Sequence, residues 1–386
     1  MLDLSRFIAG PYCGMLLGDL GADVVKVETV GKGENTRNFH PRIGDESIYT
    51  MVFNRNKRAI TLNFRSEGGQ KVLRDLIAQS DVVIENFIPG TLEKMGCGWE
   101  AMSKINPRLV MTRISGFGAA GPYSKRPCFD LIAQAMSGLM DLTGYPDGPP
   151  TMAGSFIADY TTALHATIGT LAAIQNRERT GKGQLVEVTL IASALSLLVT
   201  TIPNQLLFGH TTKRNGNRDR FVAPSNTFRT KDQDWIIFQV QSDEKFQALA
   251  DAMGQSGLAQ DARFKTNADR LTHVEELEPR LQAWVQTQTT EGALELISGL
   301  GIPCAKVATI ADVVNNPQVQ HGEHILWLDQ AGGKVPMQGF TVKMTDTPMA
   351  LRHSAPSIGQ HTDLVLDEWL DYSADDVRKL RSEKVI

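Results

Sequence analysis

Ala59-Ile60-Thr61-Leu62-Asn63-Phe64 leads into a helical pattern from Ser66 to Ser80, and that leads into Asp81-Val82-Val83-Ile84-Glu85-Asn86-Phe87. The two outer runs are short and mostly apolar. The inner run is long enough for about four helical turns. Strand, helix and strand in this order read as a βαβ unit, whose strands pair in parallel. The pattern extends both ways. Asp23-Val24-Val25-Lys26-Val27-Glu28, bounded by Gly21, is an earlier strand, and Leu2 to Phe7 opens the chain like another. A helix from Gly90 to about Asn106 and a strand from Leu109 to Ser115 follow. This part of the chain is expected to be a doubly wound, Rossmann-like α/β domain. Ligands of such sheets bind at the carboxyl ends of the strands.

Further on, Phe129 to Leu142 reads as a helix and Tyr145 to Pro150 as a loop. Phe156 to Glu178 then gives one long helix, closed by Arg179-Thr180-Gly181, and Gln184 to Ile191 gives one more strand. Polar residues gather between Asn204 and Arg220. Beyond them, two strand-like runs flank Lys231-Asp232-Gln233-Asp234, a hairpin signal. The expected organisation is a large domain over residues 1–203, a linker over 204–224 and a small α+β domain over 225–320. Residues 321–386 are read as a linker and a return to the large domain.

Composition narrows the function. The chain has 386 residues and a net charge of −4, which argues against a nucleic-acid partner. An anion site must therefore be a local cluster of bases. Four scattered cysteines, with no CxxC spacing, read as reduced structural thiols in a cytoplasmic setting. The longest apolar run, Leu190 to Ile202, falls short of the ~20 residues of a membrane span and reads as a buried helix.

Gly116-Phe117-Gly118-Ala119-Ala120-Gly121 matches a dinucleotide fingerprint in its glycines. Pro122, Tyr123 and Pro127 follow, where that fingerprint needs a helix N-terminus. It reads instead as a glycine loop that lets backbone approach a ligand. No metal is expected: His321-Gly322-Glu323-His324 lacks the i, i+4 spacing of a zinc helix. His165 reads as a core histidine. Lys32 and Arg37 follow the second strand, Arg55, Lys57 and Arg58 precede the third, and Lys94, Lys125 and Arg126 come later. They are either solvated surface charge or the rim of a phosphate site. Asn86-Phe87 closes a strand, where an amide and a ring can pack on a nucleotide. Asp159 falls in the first turn of the long helix. There the helix dipole is expected to keep it ionised. It is either a capping residue or a nucleophile.

Taken in order, these stretches resemble the class III CoA-transferases, the family of formyl-CoA and carnitine CoA-transferases that also contains α-methylacyl-CoA racemases. The resemblance rests on Ala9-Gly10-Pro11-Tyr12 through Glu28, Asn54 to Arg58, and Glu85 to Gly90. It continues through Ser115 to Gly118 with Gly121-Pro122-Tyr123, Phe129 to Ala135, Ile157-Ala158-Asp159 and Arg177 to Gln184. It covers nearly the whole chain.

The resemblance implies that Asp159 is the catalytic carboxylate. It would attack an acyl-CoA and carry the CoA to a free carboxylic acid through an anhydride and an aspartyl-CoA thioester. Coenzyme A is then a substrate, and no tightly bound cofactor is expected. Tyr49 and Asp130 match an aromatic and acidic pair near the catalytic aspartate, with Gly116 and Gly118 in the supporting loop. Ile8, Ala9, Leu62, Asn86, Phe87 and Lys94 match CoA-binding positions. Thr29 replaces a basic residue, so Lys32 or Arg37 is expected to supply that charge, with Arg58 and Lys125 as further phosphate candidates. Val240-Gln241-Ser242-Asp243 stands where formyl-CoA transferase has glycines, which speaks against that specificity. The racemases need a histidine where this chain has Phe129, which disfavours racemisation. A non-catalytic CoA-binding protein is the third alternative. The resemblance also implies a ring-shaped protomer and an interlocked homodimer. The active site would lie between the large domain of one subunit and the small domain of the other. Neither a membrane nor a nucleic acid is expected as a partner.

Overall fold

The structure is a computed structural model and describes residues 1–330 and 333–386. The chain divides into two compact units. One comprises residues 1–140, 152–210 and 320–386, and the other residues 141–151 and 211–319.

The larger unit is built on six strands: β1 (Leu2–Asp3), β2 (Val24–Glu28), β3 (Lys57–Thr61), β4 (Val82–Glu85), β5 (Val110–Ser115) and β6 (Leu185–Thr189). Their order across the sheet is 3-2-1-4-5-6, and every pair is parallel. Neighbouring residues of a strand point to opposite faces. Val82 and Ile84 accordingly enter one core, with Val24 and Val110, while Val83 enters another, with Val25, Val27 and Met111. Both faces are covered, as a parallel sheet requires.

Helix α1 (Ala9–Asp19) follows β1 directly. The expected opening strand, Leu2 to Phe7, is cut to two residues. Asp3 Oδ1 accepts both the backbone N–H and the hydroxyl of Ser5, which turns the chain away from the sheet. Phe7 then takes a left-handed φ of 65°. The helix expected from Gly90 to Asn106 breaks at Gly96, φ +68°, into Thr91–Lys94 and Trp99–Ile105. The one expected from Phe129 to Leu142 is broken by Gly138, φ +88°, so that α2 spans only Asp130–Ser137.

The long helix is present as α3 (Ile157–Thr180), and Gly181 ends it in a left-handed conformation. Its buried side is almost entirely alanine and threonine: Ala158, Thr162, Ala163, Ala166, Thr167, Thr170 and Ala173. Small side chains allow close packing against the sheet, where Thr170 and Thr112 share a hydroxyl hydrogen bond of 2.6 Å. The Leu190–Ile202 run is not the buried helix expected of it. It forms a short helix, Leu190–Leu195, and the start of a second, Thr201–Phe208, with Leu195, Leu197, Val199 and Ile202 all exposed. No helix among the described residues is long and apolar enough to cross a membrane.

The smaller unit carries an antiparallel sheet of β7 (Ser225–Arg229), β8 (Trp235–Gln239) and β9 (Cys304–Lys306), with β8 in the centre. Phe228 and Phe238 stack at 4.7 Å in its core, beside Phe246, Leu281 and Ile297. Residues 141–151, which lie within the long large-domain span in sequence, belong to this unit. There Arg214 bonds the Asp141 carboxylate and the Gly148 carbonyl.

Candidate active site

The direction of α3 sets the place of Asp159. The helix leads into β6, so it runs antiparallel to the strands. Near its end, the buried Arg177 donates to Asp81 Oδ1 at 3.0 Å and to the Arg108 carbonyl at 3.3 Å, just before β4 and β5 begin. Asp159 lies 18 residues earlier, about 27 Å along the axis at 1.5 Å per residue. It is therefore at the carboxyl ends of the strands, where sheets of this kind bind ligands.

Asp130 stands at the same helix end. Its Oδ1 accepts the N–H groups of Ala158 at 2.7 Å and Asp159 at 3.1 Å. Gln134, one turn later on α2, donates to Asp130 Oδ2 at 2.5 Å and accepts from the Ala153 N–H at 3.0 Å. Asp130 is buried, and Asp159 is partly buried. The expectation that the dipole keeps Asp159 ionised at ordinary pH is overturned. Asp130 already occupies the N–H groups, and its own charge faces Asp159. Burial first, and Asp130 second, push the Asp159 carboxyl up to about 7. Near neutral pH such a group is about half ionised, and it is more basic than an ordinary carboxylate.

Tyr160 follows Asp159 and belongs to an aromatic cluster. Its ring meets Tyr12 edge-on at 5.1 Å; Tyr12 meets Phe53 at 5.9 Å; Tyr49 lies 6.0 Å from Phe53. These rings line a cavity of about 460 Å³ with Ile48, Val52, Pro41 and Gln338. Asp159 borders it through its neighbour and is not itself in the lining. Burial first, then Tyr49, Tyr12 and Asp159, raise the Tyr160 phenol to about 12.

The switch point between β1 and β4 is built as a clamp. Arg6 N–H donates to Asn86 Oδ1 at 2.8 Å, and Asn86 Nδ2 donates back to the Arg6 carbonyl at 2.7 Å. The Arg6 guanidinium lies 4.9 Å from the Phe87 ring centre. Ile8 and Ala9 sit at the start of α1 immediately after this clamp. Gly116 follows β5 so close to Cys128 that an added Cβ would approach its Cβ to 2.2 Å, and Gly118 has a φ of +94°. Lys32, Lys94 and Lys125 follow β2, β4 and β5. All three are exposed and lack an ion-pair partner among the described residues.

Three expected CoA contacts sit differently. Arg58 lies near the start of β3, at the amino end of the sheet, and is bound to Asp23 and Glu368. Arg37 is committed to a bidentate pair with Glu28 at 2.7 Å. Leu62 is wholly inside the core, and its N–H donates to the Glu28 carbonyl at 2.8 Å. Arg6, Gln134 and Tyr160 escaped the sequence reading. Gln134 carried a signal, since i, i+4 spacing on a helix puts it beside Asp130. Phe129, packed on Phe7 at 5.4 Å, has no group able to move a proton.

Residues 1–362 match the family model described as CoA-transferase family III. Succinyl-CoA–D-citramalate CoA-transferase of Chloroflexus aurantiacus is 37% identical over 100% of this chain and 96% of its own. Succinyl-CoA:glutarate CoA-transferase of Mus musculus is 35% identical over 100% and 89%. The crystal structure of a CAIB/BAIF family protein from Brucella suis superposes with a TM-score of 0.87 at 35% identity, covering 95% of this chain and 97% of that one. With likeness of this extent in sequence and in fold, the chain belongs to CoA-transferase family III and is a CoA-transferase.

Proposed function

We propose that the protein moves CoA from an acyl-CoA donor to a free carboxylic acid through covalent intermediates on Asp159. The observation that carries this reading is the raised, partly buried Asp159 carboxyl at the carboxyl ends of a parallel sheet, set against Asp130. An ionised carboxylate of that basicity is a better nucleophile than an exposed one.

Asp159 attacks the thioester carbonyl, the carbon–sulfur bond breaks, and a mixed anhydride and CoA thiolate form. The thiolate attacks the aspartyl carbonyl of the anhydride and releases the donor's acid, leaving an aspartyl-CoA thioester. The acceptor carboxylate attacks that thioester, giving a second anhydride and the thiolate. The thiolate then takes the acceptor's acyl group and frees Asp159. One thioester is exchanged for another, so little net free energy is needed. The protein's task is to position the partners and exclude water. N–H groups of the Gly116–Gly121 loop are suited to stabilising the oxyanions.

In this reading the Rossmann-like switch point formed by Ile8, Ala9, Asn86 and Phe87 holds the nucleotide end of CoA. Lys32, Lys94 and Lys125, exposed and without an ion pair among the described residues, are available for its phosphates. Tyr49, Gly116, Gly118 and Asp130 support the reacting centre. The working form is a homodimer, interlocked as the family resemblance implies. To test the route, the enzyme is incubated with an acyl-CoA, trapped with hydroxylamine and digested for mass spectrometry. A hydroxamate at Asp159, missing in Asp159→Asn, is expected. Turnover with Asp159 unmodified would exclude the covalent route.

A further inference from the structure

The clamp between β1 and β4 carries a cation that has no counter-ion. We infer that the Arg6 guanidinium is a phosphate ligand for the nucleotide end of CoA, with the Phe87 ring as its support. The inference rests on the proposed placement of that nucleotide at the switch point.

The buried cations of this sheet are paired. Lys26 and Lys57 hold Asp3, Arg37 holds Glu28, and Arg113 holds Glu85 and Glu93. Arg6 differs. It is half-buried, yet its guanidinium makes no ion pair or hydrogen bond among the described residues. Glu34 is the acid whose charge reaches it. That carboxylate accepts the Phe7 N–H at 3.3 Å and the Thr36 hydroxyl, and forms no ion pair with Arg6 among the described residues. Taking a cation partly out of water without a partner is unfavourable, and an anion brought to it offsets that cost. The place of the cation is fixed. Asn86 holds the Arg6 backbone on both its N–H and its carbonyl. The guanidinium lies 4.9 Å from the Phe87 ring centre, and Phe64 meets that ring edge-on at 6.0 Å. An aromatic face holds a guanidinium and leaves its edge N–H groups free, which match phosphate oxygens in pairs. Phe87 thereby acts through Arg6.

Only backbone atoms of Arg6 enter the clamp, so Arg6→Gln leaves both of its hydrogen bonds in place. Calorimetric titration of CoA into the full chain, at about 0.05 M and about 0.5 M salt, tests the inference. Arg6→Gln is expected to raise the Kd roughly tenfold or more at the lower salt, with a smaller gap from wild type at the higher. Arg6→Lys keeps the charge and loses the planar fork, and its Kd is expected to fall between the two. Should Arg6→Gln not fold, Arg6→Met makes the same comparison. A gap that salt does not alter would mean that Arg6 shapes the site without meeting a phosphate, and overturns the inference. An unchanged Kd in Arg6→Gln, with Asn86→Ala still weakening CoA, also overturns it and leaves the nucleotide at the switch point. An unchanged Kd in both variants removes the nucleotide from the switch point, so that placement fails together with the inference.

Discussion

Asp130 Oδ1 lies 3.1 Å from the backbone nitrogen of Asp159 and takes the hydrogen bond that a free helix end would offer to Asp159 itself. The capping carboxylate thus uses the favourable end of the dipole and turns its own charge on its neighbour. Because the nucleophile must be ionised, kcat/KM is expected to rise with pH and level off above about 7. Asp130→Asn removes the charge and keeps the shape. It is expected to move the rising limb toward acid by roughly one pH unit, read from full pH–rate profiles. A limb that stays in place would mean that burial alone sets the carboxyl.

Stability carries the same signature with the opposite sign. The folded protein holds the Asp159 proton to about 7, against 3.8 for an ordinary aspartate. Stability is therefore lost as pH rises from about 4 through about 7, and the whole cost is present above that window. Asp159→Asn escapes it. The variant is expected to melt above the wild type at pH 8, by on the order of 1–3 kcal/mol once solvent contact is discounted. The two should converge near pH 4. Scanning calorimetry at the two pH values checks both statements, and a constant gap would contradict the assignment.

The Arg6–Asn86 clamp joins adjacent strand ends at the nucleotide side of the proposed site. Asn86→Ala removes two hydrogen bonds and leaves the Arg6 N–H and carbonyl unpaired. A loss of about 1–3 kcal/mol in CoA binding is expected. The thioester KM should rise roughly tenfold or more, while kcat changes less, since the clamp holds no reacting atom. Steady-state kinetics separates the two. A pure kcat effect would place the clamp elsewhere in the mechanism.

Much of this was legible in the sequence, for identifiable reasons. The strands of the large unit are β-branched runs cut off by glycine or polar turns, and α3 announces itself by length and by Gly181. What was hidden depends on contacts between distant segments. Arg58 looked like a phosphate ligand until the sheet register put it at the wrong end, against Asp23 and Glu368. Arg37 looked free until Glu28 claimed it. The Asp159 shift does not follow from its own helix turn, where an aspartate is normally stabilised; the resemblance puts Asp130 nearby, and only the fold shows that Asp130, 29 residues earlier in the chain, takes the helix-end N–H groups. The early break of β1 likewise follows from Asp3, whose partners Lys26 and Lys57 come from two other strands.

That ionic cluster yields a stability test. Asp3 is wholly buried between Lys26 and Lys57. Burial alone would raise its carboxyl, but the two lysines outweigh it and hold the group at about 2. The contribution is present above about 4 and is lost as pH falls toward 2. Asp3→Asn leaves two buried ammonium groups facing each other without their counter-ion. A loss of roughly 3–5 kcal/mol at pH 7 is expected, measured by urea unfolding. A change below about 1 kcal/mol would show that water reaches the cluster.

The apolar surface argues for the second subunit. Val199, Leu206, Leu207 and Phe208 each expose more than 70% of their surface, and Leu164, Ile168 and Leu171 are exposed along α3. Large apolar side chains exposed in this number mark interaction surfaces when they gather into one patch. Burying one such side chain is worth about 1.5–3 kcal/mol, so a few of them can hold a dimer together. In solution the protein is expected to sediment at twice its 42.3 kDa chain mass. Replacing Leu207 and Phe208 together by aspartate buries two charges in the proposed interface, where neither finds a partner. The double variant is expected to sediment as a monomer at micromolar concentration and to lose transfer activity. Neither residue is among the proposed reacting groups, so that loss would trace to assembly. A wild-type chain that sediments as a monomer, with full activity, would remove the dimer from the reading.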